Sequence, residues 1–215
     1  MKSVEVVKNK YFTRSEMEWE SFFREKKEMI EENIEVFLEI KRIWEFDSSN
    51  DLLKQWLFFA FYGMGGKLDK KKKDKFVAHF SKTHKESIDE VKEIVNEIND
   101  DKKSTSYYSF VTKMLNMQNE DFFPIYDSRV ASVFFEEKER RTFDKVDKCY
   151  RRIKGLYDSI SDKDASIIAF KAIFDNAKSL GKMRLLDFVF YNSIEVPKRA
   201  RKAKSTTPKA KSREG

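Results

Sequence analysis

Apolar residues recur every three to four positions along most of the chain, with no sustained alternation of period two. Ser15-Glu16-Met17-Glu18 has the form of a capping box, in which a serine and a glutamate satisfy each other's backbone N–H groups. Trp19, Phe22, Phe23, Ile30, Ile34, Phe37, Ile40, Ile43 and Trp44 follow at helical spacing and predict one long helix. Asp47-Ser48-Ser49-Asn50 predicts the cap of a second helix, ended by Gly63, Gly65 and Gly66. A third helix is expected to start near Asp69. Thr83-His84-Lys85-Glu86 reads as another capping box, leading into Ile88, Val91, Ile94, Val95 and Ile98.

Further helices are expected over 107–118, 129–137, 143–160, 164–179 and 182–191, with Asp127-Ser128 capping the second of these after Pro124. Residues 1–196 hold one proline and five glycines, too few breakers for a loop-rich fold. The expectation is an all-α fold of about eight helices, in one body or in two lobes around a cleft.

Composition changes this picture at Pro197. From there to Gly215 the chain carries eight Lys and Arg against one acid, which accounts for the whole formal charge of +7. Residues 1–196 carry 36 bases and 36 acids, so the body is neutral. The expected division is a helical domain over 1–196 and a disordered basic tail over 197–215, which lacks the apolar residues to order itself. The high isoelectric point therefore describes the tail, and it suggests a polyanion as partner.

Several classes of chemistry are disfavoured. One cysteine, Cys149, allows no internal disulfide or cysteine-rich metal site, and two histidines, His79 and His84, leave little for a histidine metal centre. No cofactor or metal is expected. The longest apolar run, Trp56–Tyr62, has seven residues against the roughly 20 of a membrane helix. Met1–Lys10 has no apolar core of a secretory signal, so a cytoplasmic, nucleoid-associated location is expected, and the basic tail is also compatible with a nucleus.

The most unusual stretch is Ser106–Phe135, SYYSFVTKMLNMQNEDFFPIYDSRVASVFF. Extended residues around Pro124 would bring Asp127 to the start of the next helix, where free backbone N–H groups and the helix dipole favour a carboxylate. Asp127 there serves equally as an ordinary N-cap. A lysine on a helix, a loop, and an apolar-proline-apolar-x-Asp element opening another helix together resemble the helix-hairpin-helix DNA glycosylases. Within the stretch, Ser109–Val130, SFVTKMLNMQNEDFFPIYDSRV, is more similar still to a divergent branch of small bacterial proteins, some linked to phage defence, and Arg184–Ser193, RLLDFVFYNS, resembles their closing helix.

The resemblance implies an enzyme that flips a nucleotide out of duplex DNA and breaks the bond between a damaged or modified base and its sugar. It implies Asp127 as the carboxylate that stabilises the oxocarbenium-like sugar, and Lys113 as the amine that attacks C1′ in members with lyase activity. The partner would be double-stranded DNA bearing such a base, including a modified base of phage DNA. The family hairpin is glycine-rich, whereas residues 99–112 have no glycine. Ser104, Thr105 and Ser106 would meet the phosphate instead, or simply cap a helix. Arg129 could bind phosphate or pair with an acid.

Tyr62, Tyr107, Tyr108, Tyr126 and Tyr191 are candidates for a base pocket, although most of the 31 aromatics must be core. Lys70, Lys71, Lys72 and Lys73 form a run that would grip the DNA backbone or make up a solvated face. The rival reading is a non-catalytic helical protein that binds DNA or a partner.

Overall fold

A computed structural model describes residues 1–46, 51–62, 69–99, 107–136 and 141–194. Among these residues all regular secondary structure is helical, with no strand. The helices are α1 (Val4–Tyr11), α2 (Glu16–Glu25), α3 (Lys27–Phe46), α4 (Asp51–Phe61), α5 (Lys70–Val77) and α6 (Ile88–Ile98). They continue with α7 (Tyr107–Gln118), α8 (Ser128–Ser132), α9 (Phe143–Asp158), α10 (Ala165–Ile173) and α11 (Lys182–Ser193). A short 3-10 turn, Asp175–Ser179, separates the last two. None of the described helices is long and apolar enough to cross a membrane.

The apolar spacing read from the sequence becomes the core. Trp19, Phe23, Ile30, Ile34 and Phe37 are fully buried, and Phe23 meets Phe170 with ring centroids 5.0 Å apart where α2 packs on α10. On α6 the buried stripe is Val91, Ile94, Val95 and Ile98, laid against α7. Helix α7 is buried almost all round, and Lys113 is among its few partly exposed positions.

The helix count exceeds the expected eight for identifiable reasons. Ser15 and Glu18 do form the capping box, but the helix they open stops at Glu25. Lys26 leaves helical geometry (φ −109°, ψ 12°) and its N–H turns back to the Arg24 and Phe23 carbonyls, so the long predicted helix is two. Helix α1 was not anticipated. Ser3 caps it through Val6 N–H, yet Val7 is its only buried side chain, a pattern too thin to stand out in a sequence.

Thr83–Glu86 does not start a helix. His84 is held between the Glu90 carboxylate (2.8 Å) and the His79 carbonyl (3.1 Å), Glu86 accepts from Asn119, and Ser87 caps α6 instead. Helix α8 ends at Ser132, well before the expected Glu137, and the helix expected over 164–179 gives way to the 3-10 turn after Phe174. The expected caps at Asp47–Asn50, the glycines 63–66 and the tail from 197 lie outside the described residues.

Candidate functional site

The segment between α7 and α8 is fixed by side chains from two helices. Asn116 of α7 donates to the Phe123 carbonyl (2.6 Å). Thr112, one turn earlier, accepts from Tyr126 N–H (2.9 Å) while donating to the Tyr108 carbonyl (2.7 Å). From α11, the Asp187 carboxylate accepts from Ile125 N–H (3.0 Å). Pro124 has no N–H to satisfy, so it can occupy the one position of this buried stretch that lacks a donor. The Phe123–Tyr126 backbone is therefore held at three of its four residues.

This delivers Asp127 to the first position before α8. Its backbone is extended (φ −104°, ψ 144°) and its side chain accepts from Arg129 N–H at 2.7 Å, the expected N-cap. Among the described residues only Oδ1 is so engaged; Asp127 remains half-buried.

Helix α11 is seated against the same loop. Gly181 precedes it, and a Cβ there would lie 2.8 Å from the Glu120 carbonyl carbon and 3.0 Å from Asp121 N. Met183 N–H donates to the Glu120 carbonyl (2.9 Å), and Lys182 N–H to the Asp121 carboxylate (2.7 Å). Glu120 in turn pairs with Lys41 of α3. Gly181 thus serves a close backbone approach, which sets where Arg184, Asp187 and Tyr191 fall along α11.

Between α3, the end of α4, α7, α8 and α11 lies a cleft of about 540 Å³. Lys113, Asp127, Arg129, Tyr62 and Tyr191, all selected from the sequence, line it together. The Lys113 ammonium lies 4.8 Å from the centre of the Tyr62 ring, and the Arg129 guanidinium 4.4 Å from that of Tyr191. Arg129 also donates to the Ile194 carbonyl. The Tyr62 hydroxyl is buried with no hydrogen-bond partner among the described residues, and burial holds its pKa above the usual phenol value.

The remaining candidates lie elsewhere. Tyr107, Tyr108 and Tyr126 are buried and do not line the cleft, so the structure does not bring these three base-pocket candidates to it. Tyr108 points into the core and donates to Asp147 (3.0 Å), and Tyr107 takes the Lys72 ammonium against its ring at 5.8 Å. Tyr126 packs against Tyr108, at 6.1 Å between ring centres. Lys70, Lys71, Lys72 and Lys73 lie on α5 and do not line the cleft. Ser104, Thr105 and Ser106 lie outside the described residues.

Two charged residues of the cleft were not anticipated. Asp187 is 6% exposed, accepts from Tyr157 hydroxyl (2.8 Å) as well as from Ile125, and is pushed up to about 7. Burial is the main cause; Arg184 and the two hydrogen bonds oppose it, and the neighbouring Asp127 charge adds to it. Arg184, also on α11, lies over Phe37 (4.1 Å) and Phe188 (4.5 Å), and its Nε has no partner among the described residues. A visible signal existed: Leu185-Leu186 and Phe188–Tyr191 flank Asp187 on both sides, and a charge set within such an apolar run is seldom idle.

Among the described residues no group of three or more His, Cys, Asp or Glu is arranged to hold a metal ion. Comparison of the chain with family models, with curated proteins and with solved structures finds no match.

Proposed function

We propose that this protein is a DNA glycosylase, which extrudes a damaged or chemically modified base into the cleft and breaks its N-glycosidic bond. The observation that carries the reading is the meeting of Lys113, Asp127, Arg129, Tyr62 and Tyr191 around one cavity, although they are spread over 130 residues of sequence. Its 540 Å³ falls within the range of roughly 300–1,000 Å³ usual for small-molecule sites, enough for one extruded base and its sugar.

In this reading Asp127 faces the sugar as C1′ acquires positive charge. Its Oδ1 is committed to the helix cap, which orients the carboxylate and leaves Oδ2 for the sugar or an attacking water. Lys113, on the adjoining helix, is the candidate amine nucleophile; water replaces it if the enzyme has no lyase step. Tyr62 and Tyr191 supply ring faces for the base. Arg129 and Arg184 supply positive charge for the flanking phosphates.

The test is base release from duplexes carrying modified bases, scored as strand breaks after hot alkali. Asp127→Asn should abolish release with DNA binding retained; release equal to wild type would refute the assignment. Borohydride should trap a protein–DNA adduct if Lys113 attacks C1′, and Lys113→Ala should then lose it. A second reading, a non-catalytic DNA-binding protein, draws on the structural duty that Asp127 already performs as an N-cap. It predicts binding without base release from any substrate.

A further inference from the structure

Helix α4 presents a second face, whose residues are distinct from the Phe61 and Tyr62 that line the cleft. Leu52, Gln55, Trp56, Phe59 and Ala60 of this face, with Lys73 of α5, line a groove of about 430 Å³. Trp56 is 67% exposed and Leu52 75% exposed, whereas the protein's other two tryptophans, Trp19 and Trp44, are buried. An indole left this open is mostly presented to solvent. Beside it, α5 and its cap carry Lys70, Lys71, Lys72, Lys73 and Lys75 against Asp69 and Asp74. The Lys73 ammonium reaches within 5.6 Å of the Phe59 ring centre, so the lysine run borders the groove directly.

From this juxtaposition we propose that the α4–α5 face binds a single-stranded or locally unpaired nucleic-acid strand, with a base stacked on Trp56 and phosphates on the lysines. Charge selects this occupant. The chain's own basic tail would be repelled by α5, and a second copy related by two-fold symmetry would set the same lysines against each other. A nucleic-acid strand brings flat π faces and regularly spaced anions together, and aromatic platforms beside basic side chains are the usual solution for holding it. Gln55 adds an amide that can meet a base edge. The proposal does not depend on glycosidic chemistry, since it concerns unmodified strands and a different face.

The test uses the full chain. A thymidine oligonucleotide should quench tryptophan fluorescence, since Trp56 is the one exposed tryptophan, whereas heparin, an anion without bases, should bind without quenching. Trp56→Ala should weaken oligonucleotide binding by about 5- to 150-fold, the range for loss of one stacked base. Trp56→Phe should keep affinity, followed by anisotropy of a labelled strand, and lose the quench. Replacing Lys70, Lys71 and Lys73 by Gln should reduce the log–log salt slope by about 2. Unchanged affinity in Trp56→Ala would overturn the proposal. So would a fluorescence response to anionic lipid vesicles or to protein concentration in place of oligonucleotide. Base release measured on the same variants stands or falls separately.

Discussion

Asp187 offers a direct test of the electrostatics of the cleft. Its carboxyl is almost fully enclosed, and burial raises it from the ordinary 3.8 to about 7 against the pull of Arg184 and of the Tyr157 and Ile125 hydrogen bonds. In the unfolded chain the same group ionises near its ordinary value, so between pH 4 and 7 the folded protein holds a proton that the unfolded chain has released. The stability contributed by neutral Asp187 is therefore complete below about pH 4 and is lost as pH rises through 7. A shift from 3.8 to about 7, at 1.36 kcal/mol per unit, sets the whole effect at up to about 4 kcal/mol.

Asp187→Asn removes the titration while keeping the shape. Its amide oxygen can still accept one of the two hydrogen bonds, so a fixed cost of about 1–3 kcal/mol is expected at every pH. Urea unfolding of both proteins at intervals from pH 4.5 to 8.5 isolates the titration, because all other groups cancel in the difference. The stability of the Asn variant relative to wild type should rise across this range by a few kcal/mol and level off above pH 7. A difference that stays flat would show Asp187 ionised throughout, with Arg184 outweighing burial. The geometry argues against that outcome, since the Arg184 guanidinium lies over Phe37 and Phe188 and acts on Asp187 as a nearby charge, not as a hydrogen-bond donor.

Three other substitutions probe how the cleft is built. Gly181→Ala would drive a methyl group against the Glu120–Asp121 backbone and should cost about 1–3 kcal/mol, seen as a Tm lower by roughly 2–12 °C. Thr112→Val leaves the buried Tyr126 N–H without its acceptor and should cost about 1–3 kcal/mol by urea unfolding, while Thr112→Ser should recover most of it. Asp127→Asn should change stability by only a few tenths of a kcal/mol, because Asn caps helices as well as Asp does, so loss of base release in this variant would reflect chemistry and not unfolding.

What could be read from the sequence is what local spacing and local capping determine. The buried stripes of α2, α3 and α6 follow apolar periodicity, and Asp127 caps α8 because an acid three residues after Pro124 meets free N–H groups within two residues. Lys113 was legible only through resemblance; its neighbours alone mark a helix, not a cleft. Asp187 and Gly181 depend on contacts 62 and about 60 residues away in sequence, with Ile125 and Glu120. Gly181 has an ordinary φ of −65°, so no backbone preference marks it; only the approach of another segment does. The break at Lys26 was invisible because the apolar period continues across it from Phe23 to Ile30.

The neutrality of residues 1–196 conceals an uneven placement of charge, which bears on how an uncharged body could hold a polyanion. The cleft lining carries three formal cations, Lys113, Arg129 and Arg184, against two acids, Asp127 and Asp187. With Asp187 protonated the balance is +2, and with both acids ionised it is +1. With Asp187 protonated, Asp127 is the one acid of the lining set against three formal cations. Helix α5 and its cap make a second positive site, five lysines against two acids. A phosphate chain is drawn by local potential within about 8–10 Å at physiological salt, so such patches matter more to binding than the net charge of the body does. The enclosure that suppresses ionisation of Asp187 therefore also sets how positive the lining around Asp127 is, where the proposed reaction needs one anion and no second to compete with it.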